Sequence, residues 1–266
     1  MLSIVLNYFY KHKFVYTAKF YLSVICNLIY KYISFKIAAK EVKKCSYGEI
    51  DCIKSTITDI LYNFVFLADH PELGLVRLDP KDVPLLVIEQ NKNSPVNIKF
   101  EFKDSQLIGL KDTEIKSVKG FGKDIKGVHV AEVFFPQIQF VGTYTIDGRI
   151  LILPITGHGK SNITFYDCIT KFRIKAKPVE KEGKTYMDVE SIKADIRPKR
   201  AYIYLENLFN GDKTLGETTN KFLNENFDDI YKEMKPNFEK SWEGVFYTVI
   251  KSVFDAFPYE DLFKKE

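Results

Sequence analysis

Apolar residues recur with a helical period towards the end of the chain. From Asp212 they fall at Leu215, Thr219, Phe222, Leu223, Phe227, Ile230 and Met234, a 3.6-residue stripe with polar residues between. Asp212 fits an N-cap. Pro236 fits the first turn of a new helix, where proline is tolerated. A second stripe runs through Phe238, Trp242, Val245, Phe246, Val249, Ile250, Val253, Phe254 and Phe257 and stops at Pro258. The spacing predicts two long amphipathic helices, the first over Asp212–Met234 and about 35 Å long. An earlier helix is predicted over Glu49–Phe66, with Ile53, Ile57, Ile60, Leu61 and Phe64 on one face.

Between these helices the period is two. Val96, Ile98, Phe100 and Phe102 alternate with polar residues, as in a half-buried strand. Val128, Val130 and Phe134 belong to another apolar stretch, in which His129 alternates outward to the surface. Ile138, Phe140, Gly142, Tyr144 and Ile146 form a further alternating face. Asp147-Gly148 reads as a hairpin turn into a strand over Arg149–Thr156. Strands follow at Asn162–Lys177 and Lys184–Asp195, with a short one at Tyr202–Leu205. A helix, an antiparallel meander and C-terminal helices together predict an α+β fold.

Composition changes the picture in three places. The formal charge is +4, but residues 1–40 hold six of the 39 basic residues and no Asp or Glu. The other 33 basic residues face 35 acidic ones, so the folding part lacks a nucleic-acid footprint. Lys11, Lys13 and Lys19 precede an 11-residue apolar run, Phe20–Tyr30, which is too short to span a bilayer and fits a signal-peptide core. Ala38-Ala39 supplies small residues for cleavage. Lys31, Lys36 and Ile37 fit that site poorly, which leaves an uncleaved anchor or a start placed too far upstream as alternatives. The expected organisation is a targeting segment over 1–40 and one domain over 41–266. The 22 Phe and 16 Tyr either fill a core or line a cavity.

Catalytic motifs fail on inspection. Gly157-His158-Gly159-Lys160-Ser161 resembles the end of a P-loop, but Pro154 stands where that pattern needs glycine, and a turn between strands is expected there. Gly120, Gly122 and Gly127 lack dinucleotide spacing. His12 lies in the targeting segment, and His70 and His158 lie in predicted loops. No nucleophile–base pair or metal constellation emerges, so the expectation is no enzyme activity, no cofactor and no metal. Asn162-Ile163-Thr164 is an N-glycosylation sequon. Cys45 and Cys52 are separated by six residues with Gly48 able to turn, a loop short enough to close as a disulfide in an oxidising compartment.

One run carries more than periodicity. Phe209-Asn210-Gly211-Asp212, Leu215-Gly216, Asn220, Leu223-Asn224-Glu225-Asn226, Pro236 and Pro258-Tyr259-Glu260-Asp261-Leu262-Phe263 closely resemble the C-terminal signature of the insect takeout / juvenile-hormone-binding-protein family. Pro71-Glu72-Leu73-Gly74-Leu75 through Leu78-Asp79-Pro80, and Gly157 to Phe165, are also family-like. The resemblance implies a strongly curved antiparallel sheet rolled around a long C-terminal helix, the architecture of the TULIP superfamily. It implies a Cys pair at Cys45 and Cys52, secretion into extracellular fluid, and a monomer that carries a small hydrophobic ligand without stable membrane insertion. Juvenile-hormone-binding proteins proper have a second disulfide that Cys168 cannot make here, which moves the chain towards the takeout side.

The ligand expected is a juvenile-hormone-like terpenoid, a fatty acid or another lipid, held in one continuous apolar tunnel. The residues expected to line it are Phe100, Phe102, Phe140, Tyr144, Ile152 and Phe165 from the sheet, with Phe222 and Trp242 from the helices. The Tyr144 hydroxyl is the candidate to fix a polar end, and Gly142 is the small inner-face residue whose enlargement would fill the tunnel. For each of these, plain core packing is the alternative, and a filled-core interaction protein is the alternative function.

Overall fold

The computed structural model describes residues 43–66, 77–89 and 95–264. The expected targeting segment, with Cys26 and His12, lies outside the described residues, as do His70 and most of the Pro/Gly-rich segment before Leu78.

The first helix, α1, spans Ile50–Ile60 and continues in wider π-type turns over Leu61–Phe66, as the stripe predicts. It buries Cys52, Ile53, Thr56 and Ile60. Cys45 and Cys52 form a disulfide with Cα atoms 5.6 Å apart. The same Cys45 binds the C-terminal tail: its N–H donates to Leu262 O at 3.2 Å, and its carbonyl accepts from Lys264 N at 2.9 Å. Tyr47 stacks on Phe263 with centroids 4.3 Å apart, and the Tyr259 hydroxyl donates to Gly122 O at 2.8 Å. The closing Pro-Tyr-Glu-Asp-Leu-Phe run therefore latches the helix α1 end of the fold.

Seven strands form one antiparallel sheet: β1 Lys81–Glu89, β2 Val96–Ile108, β3 Glu114–Lys119, β4 Gly127–Ile150, β5 Leu153–Lys181, β6 Lys184–Arg197 and β7 Arg200–Leu205. The hydrogen-bonded path is β1-β2-β4-β5-β6, with β3 on β4 and β7 on β5. β4 has 24 residues and β5 has 29. At about 3.3 Å per residue such strands run roughly 80–95 Å, so they must coil to share one core.

Three expectations about this sheet need correction. The hairpin turn lies at Leu151-Ile152, where Leu151 has φ 54°, not at Asp147-Gly148. Gly148 stays inside β4 because β2 crosses close to it: a Cβ there would sit 2.2 Å from Asn97 O. Gly157 to Ser161 is continuous strand within β5, not a turn. The third correction concerns strand faces. In β4 the buried side chains are His129, Val133 and Phe135, then Ile138, Phe140, Tyr144, Ile146 and Ile150. The step from Phe135 to Ile138 breaks the two-residue period at Pro136. β5 breaks its own period opposite, at Asp167 with φ 49°, while Phe135–Cys168 and Gln137–Tyr166 stay paired. A one-residue slip turns over every side chain on one side of it relative to the other. Val128 is therefore 59% exposed, and His129 is buried rather than on the surface. His129 Nδ1 accepts from Phe121 N at 2.8 Å and its Nε2 lies 2.8 Å from Ile125 O, a pair that one neutral tautomer satisfies.

The C-terminal helices also divide differently. The break falls at Asn226, not at Pro236: α2 spans Lys213–Glu225 and α3 spans Phe227–Ala256, with Pro236 inside it. Asp212 caps α2 as expected, accepting from Leu215 N at 2.9 Å. Asn226 leaves helical geometry, and its Nδ2 donates to Phe222 O at 2.9 Å, which satisfies a carbonyl at the helix end. At 30 residues, α3 is about 45 Å long and is the element that runs the length of the roll.

Helix side chains satisfy the free edges of the sheet. Asn220 Oδ1 accepts from Leu205 N and its Nδ2 donates to Leu205 O, both at 2.9 Å. Asn224 does the same for Ile203, both at 2.7 Å. Two asparagines on α2 thus replace the next strand beside β7. An amide is the side chain that both donates and accepts as a peptide does. On β6, Ile196 N donates to Glu239 Oε1 at 2.8 Å and Ala194 N to Glu243 Oε1 at 3.3 Å. Replacing Asn224 by Ala should cost about 1–3 kcal/mol, because both groups of Ile203 lose their partner. Replacing Asn224 by Asp should also destabilise, since the carboxylate faces the Ile203 carbonyl. Urea denaturation midpoints of the two variants check this, and unchanged midpoints would mean that the edge needs no cap.

Candidate functional site

The inner face of the sheet, α1 and the apolar stripes of α2 and α3 enclose apolar cavities among the described residues. A void of about 30 Å³ lies beside the disulfide, and two larger cavities lie in line along α3. The first has a volume of about 70 Å³. Phe100, Phe102, Phe140 and Phe165 line it from the sheet, and Leu223, Tyr231, Phe238 and Trp242 from the helices. The second, of about 140 Å³, lies nearer α1, among Ile57, Phe66, Ala131, Phe135, Phe172, Phe246 and Phe254. No residue lines both. Trp242 and Phe246, one turn apart on α3, stand between them with ring centroids 6.1 Å apart. Phe140 meets Trp242 at 5.1 Å and Phe172 meets Phe246 at 4.9 Å, which completes an aromatic partition. The single continuous tunnel expected from the sequence is thus divided, and each part is smaller than the ~300–1,000 Å³ of a typical ligand pocket.

The expected lining residues sort clearly. Phe100, Phe102, Phe140, Phe165 and Trp242 lie in the wall of the first cavity. Ile152 does not: it sits at the tip of the β4–β5 hairpin and is 92% exposed. Phe222 is half-buried against the core, while its neighbour Leu223 takes the cavity position. Tyr144 is buried but lines neither cavity, and its hydroxyl donates to Glu206 O at 2.5 Å, so it is not free to hold a ligand. Burial raises its ionisation above the ordinary tyrosine range. Gly142 faces a bulge in β2, not the interior. A Cβ there would lie 2.1 Å from Ser105 Oγ and 2.7 Å from Ser105 Cα, so enlarging it would disturb the sheet, not fill a cavity. The second cavity was not anticipated. Its β4 residues precede Pro136 and its β5 residues follow Asp167, so they lie across the slip from Phe140, on the face opposite to the one that simple alternation selects.

Asn162 lies mid-strand in β5 and is half-buried, and its Oδ1 accepts from Gln139 Nε2 at 3.0 Å and from Thr164 Oγ1 at 3.3 Å. A glycan on Asn162 would have to release these contacts. No helix among the described residues is long and apolar enough to cross a membrane.

The family model described as haemolymph juvenile hormone binding protein (JHBP) matches residues 21–264. The chain belongs to the JHBP family. The circadian clock-controlled protein daywake of Drosophila melanogaster is 27% identical over 245 residues, covering 88% of this chain and 94% of that protein. Its Drosophila yakuba counterpart is 28% identical over the same length. The crystal structure of Epiphyas postvittana Takeout 1 matches with a TM-score of 0.73 and 25% identity, over 84% of this chain and 100% of that one. The resemblance carried by the C-terminal residues and the curled, helix-filled sheet it implied are both borne out.

In this JHBP-family chain Cys168 is the free cysteine among the described residues, 2% exposed and 3.7 Å from Thr170 Oγ1. Burial pushes its thiol up to about 11. Only thiolate reacts with an alkylating agent, so at pH 8 the folded protein should label at Cys168 more than about 100-fold more slowly than the urea-unfolded chain. Peptide mass mapping after timed iodoacetamide treatment checks this. Comparable rates would mean that the β5 interior is open to solvent.

Proposed function

We propose that this chain is a secreted, monomeric carrier that buries a small apolar ligand, a terpenoid or other lipid, without chemical change. The observation that carries the reading is the pair of hydrocarbon-walled cavities in line along α3, inside a sheet whose edges helix side chains seal. The Cys45–Cys52 disulfide supports an oxidising, extracellular setting. Membership of a family described by juvenile hormone binding supports a terpenoid-like ligand. Affinity in this mechanism comes from apolar area leaving water, at about 25 cal/mol per Å². A ligand larger than either cavity would turn the Trp242 and Phe246 rings aside and join the two.

The test uses both cavities. Trp242 is the only tryptophan, so its fluorescence reports on the partition. Titration with a terpenoid or a long-chain ester should change it saturably at micromolar concentration or below. Ala131 lines the larger cavity, and Ala131→Leu adds three carbons into that space. The variant should lose about tenfold or more in affinity, corresponding to about 1.4 kcal/mol, with its thermal midpoint kept. If folded protein binds no tested lipid, and mass spectrometry finds none co-purifying, the chain is a filled-core interaction protein instead.

A further inference from the structure

The wall of the first cavity holds one polar atom with nothing to bond. Trp242 is 4% exposed, and its indole Nε1 has no hydrogen-bond partner among the described residues. Its neighbours are rings, Phe140 at 5.1 Å, Phe238 at 6.0 Å and Phe246 at 6.1 Å, which offer no acceptor oxygen. The one hydroxyl-bearing side chain of that wall among the described residues, Tyr231, is already engaged, donating to Ile196 O at 2.7 Å. Buried N–H groups are almost always bonded, and leaving one unmade is costly. If the position needed only an aromatic filler, phenylalanine would serve without that cost, as it does at Phe238 and Phe246.

We infer that the Trp242 indole N–H is the polar anchor of the ligand site, donating to an acceptor oxygen on an otherwise apolar, uncharged ligand. The inference rests on the carrier reading and deepens it. The class of ligand follows from the rest of the wall. A single donor suits a ketone, ester, ether or epoxide oxygen. Among the described residues no lysine, arginine or histidine lines the cavity, so an ionised carboxylate would be stripped of water with no countercharge. Free fatty acids in their ionised form are therefore disfavoured relative to neutral oxygenated lipids. The anchor also lies at the partition between the cavities, which places the oxygen part-way along a ligand that spans both.

Paired probes of equal length test the anchor: 2-undecanone and 6-undecanone against undecane. Affinity is read by displacement of N-phenyl-1-naphthylamine from the native protein and from Trp242→Phe, which keeps a ring but lacks the donor. The expected result is a loss of about tenfold for at least one ketone in Trp242→Phe, the size of one net hydrogen bond, with undecane changed less than about twofold. The native protein gives an independent reading, because its sole tryptophan yields one indole N–H cross-peak in a nitrogen–proton correlation spectrum. That proton should move downfield with a ketone and not with undecane. Equal losses for ketone and hydrocarbon, or equal peak shifts, would overturn the anchor and leave the carrier reading standing. If none of the three displaces the probe or moves the peak, the carrier reading fails and the anchor with it.

Discussion

The fold depends on side chains that stand in for missing strands. A curled sheet with the path β1-β2-β4-β5-β6 has open edges, and open edges invite pairing with other chains. A barrel removes them by strand closure. Here α3 fills the seam. Glu239 and Glu243 accept from Ile196 and Ala194, Tyr231 and Tyr247 donate to Ile196 and Val189, and Ser241 reaches Val87 on β1. On β7 the same device uses Asn220 and Asn224. The spacing is shared: side chains four apart on a helix serve peptides two apart on a strand. Four helical residues rise about 6 Å and two strand residues about 6.6 Å, so the two repeats match. With polar groups at the seam, the apolar stripe of the same helix turns inward. One element both closes the tube and lines it.

That dual role explains what was legible in the sequence. The helical stripes and the alternation of Ile98, Phe100 and Phe102 are local, and the structure keeps them. The helix break was misplaced because Pro236 is a strong local signal while Asn226 is a weak one. Proline removes one donor, yet α3 is held on both flanks by contacts to β6 and β1, and those outweigh the loss. Asn226 ends α2 with its own side chain on Phe222 O, a feature that asparagine shows in many contexts. The hairpin turn was misplaced for a similar reason. Asp147-Gly148 has the composition of a turn, but Gly148 is needed where β2 approaches within contact of β4.

The strand faces show the sharper limit. Alternation fixes a face only while the register holds. Pro136 and Asp167 break it once on each central strand, at the same height. Upstream of that point the apolar-looking residues Val128, Val130 and Phe134 point away from the core, and His129 points into it. Nothing local marks His129 as buried, since its partners Phe121 N and Ile125 O belong to a loop. The same slip hid the second cavity. Within the first cavity the strand phenylalanines were legible because all of them lie on one side of the slip, with Phe140, where alternation holds. Ile152 was not, because its face depended on the misplaced turn.

An interior this tight leaves the question of why it is not simply full. In a well-packed core a void of about 140 Å³ costs on the order of 3 kcal/mol. Single large side chains would fill it: Ala131 has room, and Ile115 and Val133 nearby are small for the space. The tube does not need the void filled in order to stand, because its closure comes from polar contacts at the seam and from the disulfide latch at one end. The remaining cost is of the size that a bound apolar molecule returns when it occupies the space. The division by Trp242 and Phe246 fits the same balance. Two neighbouring rings on one helix, tilted to each other by 41°, close the interior into small voids when it is empty, and each ring turns about only two side-chain bonds to reopen it.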